Sequence, residues 1–330
     1  MVAAGGEPGG AAWVVTFENM KYYLGATNWR WYNYLSSRAP EDVNFWRPGG
    51  QTAFRALEPG GPFLFKLKKP HHAIGGIGFF TAQSQLPLSL AWDTFQTRNG
   101  FDTLEEFRHT IQRYRADTER NPAIGCIALT NPIFFDKQDW IPVPADWSDS
   151  IVQGKTYSTH DSIGATLWQK IESTVARYLV NAPKADNTAF SVAEDTPQYG
   201  NSILRKVRIG QGAFRLSVTD AYTKRCAITG EKTLPVLEAA HIKPYAEAGP
   251  NHISNGLLLR SDMHKLFDDG YITVTPNFVI EVSSRIREEF NNGREYYQYH
   301  GKPLVILPGL ADNKPARHHL EYHNSIIYRG

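Results

Sequence analysis

LEAAHIKPYAEAGPNHISNGLLLRSDMHKLFDDG, residues 237–270, holds His241, Asn255 and His264, with thirteen and then eight residues between them. Ahead of His241, Pro235 to Ala240 reads as a strand. After Asn255, Gly256 to Phe267 carries Leu257, Leu258, Met263 and Phe267 at largely helical spacing, closed by Asp268-Asp269-Gly270. The expected order is a strand, a polar loop and a short helix, with one histidine on the strand and one on the helix. Such an arrangement can hold one divalent cation beside a general base.

That chemistry suits the cutting of a phosphodiester. A neutral imidazole titrates in the range needed to take a proton from an attacking water. A cation held by a histidine and an oxygen ligand balances the charge at phosphorus and on the departing oxygen. An asparagine in the intervening loop can pin the backbone or orient the base through its amide.

The segment resembles the HNH endonuclease family, whose fold is the ββα-metal motif, and in particular its restriction-type, modification-dependent branch. Four fragments carry the resemblance in order: Cys226-Ala-Ile-Thr-Gly230, Ala239-Ala-His-Ile-Lys-Pro244, Asn255-Gly-Leu-Leu-Leu259 and His264-Lys-Leu-Phe-Asp-Asp-Gly270. It implies that His241 is the general base, Asn255 the orienting residue and His264 a ligand of one Mg²⁺ or Mn²⁺ ion. Two positions depart from the family. Where many relatives carry an acidic ligand directly before the base, this chain has Ala240; either Glu238, on the same strand face, or Asn255 with water would complete the site. Only Cys126 and Cys226 are present, so no cysteine zinc ribbon, and no structural zinc, is expected. Cys226 is read as a packing or turn residue. For Asp268, one helical turn after His264, helix termination and support of the site stay equally open.

The 330 residues suffice for two domains, each with its own core. Hydrophobic residues make up 42% and charged residues 21%, an ordinary globular balance. Two cysteines suit a reducing cytoplasm, and no apolar run reaches membrane-spanning length. Residues 201–330 carry 17 Lys and Arg against 13 Asp and Glu, and seven of the eleven histidines, a mild imbalance compatible with nucleic acid.

Residues 1–12 are rich in glycine and alanine and are expected to be a disordered tail, with structure starting near Trp13. Residues 13–155 form the expected first domain. It has strands at Pro62–Lys68, Ala73–Phe80 and Ile124–Thr130, an edge at Trp140, and an amphipathic helix from Leu104 to Arg115 capped by Asp102 or Thr103. Short strands around one or two helices suggest a small α+β barrel. Phe63-Leu-Phe-Lys-Leu followed by Ile74-Gly-Gly-Ile-Gly-Phe-Phe80 resembles the EVE pattern within the PUA-like superfamily, which also holds YTH, ASCH and SRA-type domains. That resemblance implies a reader of modified bases. A flipped base would stack in an aromatic cage, for which Trp31 and Trp92 are the preferred pair, with Trp29, Trp46, Tyr32 and Phe80 as further candidates.

Residues 156–200 are expected as a helix, Asp161 to Leu179, and a proline-bearing linker. Residues 201–330 form the expected nuclease domain, opening on a basic stretch in which Arg208, Gln211 and Arg215, together with Lys243, would meet the DNA backbone. Beyond Gly270 come a hairpin around Pro276-Asn277, a short helix from Ile286, an extended edge at Pro303 and a histidine-rich end, His318 to His323, expected to pack or to touch phosphate. The expected whole is an α+β, cytoplasmic, homodimeric endonuclease acting on double-stranded DNA with modified cytosine. The alternatives are an endonuclease indifferent to modification, a DNA-binding protein with an inactive site, and action on RNA.

Overall fold

Strands form in the N-terminal half where apolar residues run together between glycine and proline breaks. The computed structural model describes residues 20–49, 53–115, 117–180 and 210–330. Along the chain these give β1 (Lys21–Thr27), α1 (Trp29–Ser36), β2 (Asp42–Asn44), β3 (Pro62–Leu67), β4 (Ala73–Pro87), α2 (Leu88–Phe95), α3 (Leu104–Arg115) and β5 (Ala123–Phe134). There follow β6 (Ile141–Pro142), β7 (Gly154–Ser158), α4 (Ser162–Val180), α5 (Gln211–Ala221), β8 (Leu237–His241), β9 (Gly256–Arg260) and α6 (Ser261–Asp268). The chain ends with β10 (Ile272–Val274), β11 (Ile280–Val282), α7 (Arg285–Phe290), α8 (Arg294–Tyr297) and α9 (Arg317–Tyr322). The expected tail 1–12, the strand at Trp13, the linker 181–200 and the basic residues Arg205, Lys206 and Arg208 lie outside the described residues.

Two compact units emerge, and neither is one continuous stretch. Among the described residues the first comprises 20–39, 55–80 and 131–180; the second comprises 40–49, 53–54, 81–115, 117–130 and 210–330. Consecutive domains 13–155 and 201–330 were expected, yet 40–54 and 81–130 pack with the C-terminal part. The strands β4 and β5 each contribute to both units.

In the first unit β1 runs parallel to β3 and antiparallel to β7, and β4 pairs antiparallel with β3 and with β6. Among the described strands β7 has β1 alone as neighbour, so the pairing has an open end and forms a sheet where a closed barrel was expected. Leu167, Ile171 and Val175 recur every four residues on α4 and, with Trp168, join Tyr22, Leu24, Leu64 and Ile74 in one core. Tyr22 lies 5.3 Å from the Trp168 ring and its hydroxyl donates to the Gly164 carbonyl at 2.7 Å. The helix expected in the linker is therefore a core element of this unit, because its apolar stripe demands cover.

In the second unit β2 pairs antiparallel with β5, Val43 opposite Leu129. Phe95, Phe107, Ile111, Ile124 and Cys126 make a core that receives Ala213 and Leu216 from α5. The other face of α5, Phe214 and Val218, continued by Tyr222 at the helix end, enters a second core with Leu257, Leu258, Met263 and Phe267. Two apolar stripes on eleven residues make this helix common to both cores. Thr103 caps α3, its hydroxyl accepting the Glu106 N–H at 3.2 Å.

The helix expected from Gly256 begins only at Ser261. Leu257, Leu258 and Leu259 are all fully buried and lie in β9, antiparallel to β8. A short, continuous apolar run fits a strand covered on both sides as well as it fits a helix. The edge expected at Pro303 reduces to one bridge to Val279. At the C-terminal end His319 and His323 pack inward. His323 lies 3.7 Å from the Phe267 ring, donates from Nε2 to the Phe267 carbonyl and accepts at Nδ1 from the Thr273 hydroxyl. Among the described residues no helix is long and apolar enough to cross a membrane.

Burial lowers the pKa of His323 to about 4, and burial together with His318, Lys243 and His252 does the same for His319. An unfolded chain binds protons at these imidazoles near pH 6.5, where the native protein refuses them. Their stabilising contribution is thus full above pH 6.5 and is lost as pH falls towards 4, by roughly 3 kcal/mol per histidine. Urea unfolding followed from pH 7.5 down to pH 4 should show this decline, and His323→Asn should flatten it.

Candidate active site

Strand alternation divides the work of β8. Glu238 meets His264 on α6, its carboxylate 2.6 Å from Nδ1. His241, at the end of the strand, is covered instead by Phe214 of α5, ring against ring at 4.0 Å and 12°. Asp268, one turn beyond His264, lies 3.2 Å from Nε2, so the imidazole sits between two carboxylates. Asp268 is also the last residue of α6, so the geometry is compatible with both readings left open for it. Burial holds its carboxyl above the usual carboxylate range, with the His264 ring opposing that shift.

His241 has a defined tautomer. Its Nε2 is 2.7 Å from the side-chain oxygen of Asn251, which is buried and accepts. The proton therefore resides on Nε2, and Nδ1 carries a lone pair. Burial pushes the pKa of His241 down, Asn251 and Asp268 oppose that shift, and nearby His264 reinforces it. The ring is accordingly a neutral base at pH 7.

Asn255 is fully buried. Its oxygen accepts the Lys243 N–H at 2.8 Å, and its amide nitrogen donates to the Lys243 and Pro250 carbonyls at 3.0 Å each. Of the expectations for Asn255, pinning the backbone matches this geometry. Service as a metal ligand or as the partner of His241 does not, because the amide is consumed by the loop and Asn251 holds the imidazole. Cys226 is also a turn residue here. Its Sγ accepts the Thr229 and Arg260 N–H groups at 3.4 and 3.3 Å, tying the 226–230 turn to the start of α6.

Residues 226–275 match the HNH endonuclease family. This stretch is an HNH endonuclease domain. No curated protein matches the chain. Among solved structures, an ASCH protein of Zymomonas mobilis is 12% identical, covering 46% of this chain and 94% of its own, with a TM-score of 0.32. The modification-dependent restriction endonuclease TagI is 13% identical, covering 86% of this chain and 75% of its own, with a TM-score of 0.26.

Among the described residues no group of three or more His, Cys, Asp or Glu side chains is set as a ready metal cage. The donors at the HNH site are one imidazole and the carboxylates it touches, a set suited to a hard or borderline divalent ion. Glu238, two residues before Ala240 on β8, is the carboxylate that the strand sets beside His264. Of the expected DNA contacts, Gln211 is exposed, Arg215 donates to the Asp93 carbonyl at 3.3 Å, and the Lys243 ammonium lies over the Tyr322 ring at 4.9 Å.

The expected aromatic cage is not assembled as a set. Trp31 is 4% exposed and packs on Phe65, and Phe80 is buried. Trp92 and Trp46 belong to the second unit, where both pack against its core, Trp46 against Phe101 and Phe107. Trp31 and Trp92 therefore lie in different units. Trp29 and Tyr32 do meet, stacked at 5.7 Å, and Trp29 also touches His71 at 4.2 Å and Trp140 at 6.0 Å. Tyr32 is fixed by its hydroxyl, which donates to the Gly75 and Phe135 carbonyls, whereas Trp29 is 39% exposed.

Asn251 and Phe214 were not foreseen. A second asparagine four residues ahead of Asn255, in the same polar loop, was the available signal for the first. Nothing local singles out Phe214 from the other apolar residues of α5. Replacing Asn255 with Ala leaves two carbonyls and one N–H without a partner, and should destabilise the second unit by at least about 1–3 kcal/mol. Denaturant unfolding of the full chain measures that loss.

Proposed function

We propose that the protein is a metal-dependent DNA endonuclease in which His241 removes a proton from the attacking water. The observation that carries this reading is a half-buried His241 whose Nε2 is tied to the Asn251 side-chain oxygen within a match to the HNH family. Glu238 and His264 would hold the ion, with Asp268 beside them. When bound, a Mg²⁺ or Mn²⁺ ion supplies the positive charge that the pentavalent phosphate and its leaving oxygen require. Asn255 keeps the loop between base and metal ligands in one shape, so that the water and phosphate meet the base without a further search.

The same reading extends to modified DNA. The sequence pattern at Phe63–Phe80 resembles modified-base readers, and the first unit presents a half-exposed Trp29 backed by a rigid Tyr32. A flipped, modified cytosine would stack on Trp29 and its aromatic neighbours, including His71 and Trp140, with exposed Lys68 beside the turn that carries His71. Two nuclease sites would cut both strands, which favours a homodimer. Its setting would be the cytoplasm, and its task the restriction of foreign DNA such as that of phage.

Digestion of one plasmid, unmodified or carrying 5-methylcytosine or 5-hydroxymethylcytosine, with Mg²⁺ or Mn²⁺, tests both parts. Cleavage should be confined to modified DNA, and His241→Ala should lower its rate by on the order of 10²–10⁴. Undiminished cutting by His241→Ala would overturn the assignment of the base. For the reader, Trp29→Ala should reduce affinity for modified DNA by the equivalent of about 1–3 kcal/mol of lost stacking, while the folded state persists. Unchanged affinity in a filter-binding or anisotropy assay would remove Trp29 from the pocket.

A further inference from the structure

Asp42 is a fully buried carboxylate at the start of β2, well inside the part of the chain expected to read DNA. One of its oxygens accepts the Ala213 N–H at 2.8 Å across 171 residues of sequence; the other pairs with Arg98. The residue preceding α5 is Gly210, which has no side chain to cap the helix. Asp42 supplies from a distant strand what a local cap would supply, an acceptor and a negative charge at the helix N-terminus.

The fit around this carboxylate is close. A Cβ on Gly210 would lie 2.5 Å from the Asp42 carboxyl carbon, and one on Gly212 would lie 2.7 Å from the Phe95 ring. The first turn of α5 is therefore held by β2 on one side and α2 on the other. The next residue after Ala213 is Phe214, 2% exposed, whose ring covers His241 face to face. All of these groups belong to the second unit.

We propose that Asp42 is a positioning residue for His241, acting through the first turn of α5 and the ring of Phe214. This inference rests on His241 as the proton acceptor of the proposed nuclease. The other groups facing His241 are Asn251 and Tyr245 from the loop and His264 and Asp268 from α6. Asp42 is linked to the imidazole by way of α5, through Ala213 and the neighbouring Phe214.

The experiment uses the full chain with Asp42→Ala, Asp42→Asn and Phe214→Leu. Cleavage is followed across pH, and the His241 ring by nitrogen-15 NMR, which reports its tautomer and titration. Asp42→Ala should lower kcat about 10²-fold with KM for DNA little changed, the scale of a misplacement near 1 Å. Loosening Phe214 lets water reach the imidazole, so His241 should titrate at higher pH and the acid limb of the rate profile should move with it. Phe214→Leu should reproduce that shift, and Asp42→Asn, which keeps an oxygen for Ala213, should recover part of the rate. A folded Asp42→Ala protein with unaltered His241 resonances overturns the proposal. If Asp42→Ala does not fold, unaltered His241 resonances in both Phe214→Leu and Gly212→Ala overturn it. Should the native protein cleave no DNA, the nuclease reading fails by itself, and the NMR arm still decides whether Asp42 governs the ring.

Discussion

The antiparallel ladder between β8 and β9 is the constraint on which the rest of the candidate site depends. It sets Glu238 opposite Leu259 and His241 opposite Gly256. Side chains alternate along a strand, so a slip of one residue would exchange the two faces, and Glu238 and His241 would each meet the wrong helix. The buried leucines of β9 prevent that slip, since any other register exposes them or buries polar groups. Gly256 is required at its position, because a Cβ there would stand 2.5 Å from Val218 of α5. The core and the placement of the site groups are thus fixed by the same contacts.

Around this ladder the loop of residues 242–254 could adopt many shapes, and buried amides restrict it to one. Asn255 satisfies three backbone groups from inside, while Asn251 reaches the base. Both are polar groups withdrawn from water, where an unpaired donor or acceptor is costly and a paired one defines geometry sharply. Ile242 anchors the loop in the core, and hydrogen bonds to Asn255 define the path of the rest. A neutral, partly buried His241 follows from the same setting, as desolvation penalises its charged form and the amide oxygen fixes its tautomer.

Much of this site was legible in the chain. His241, Asn255 and His264 stand in a spacing that the strand, loop and helix translate into one place, and Glu238 could be reached by strand alternation from Ala240. The partners that arrive from elsewhere were not legible. Phe214, Asp42 and the packing of 81–130 depend on tertiary pairing between residues far apart in sequence, which leaves no local period. The leucine run of β9 misled because burial on both sides erases the alternation that marks a strand. Tryptophans misled in a different way: Trp31 and Trp46 serve packing, and only exposure separates them from Trp29.

The interleaving of the two units bears on how the protein comes into being. Residues 40–54 and 81–130 leave the ribosome long before 209–330, yet they belong to the same core. The second unit cannot close until α5 and the strands after it have been synthesised. Contacts so distant in sequence form slowly, since the intervening chain must first be brought together. A growing or prematurely ended chain therefore holds β2 and α2 without the helix they support. The packing of β2 and α2 against α5, and with it the setting of His241, therefore waits for residues encoded far downstream.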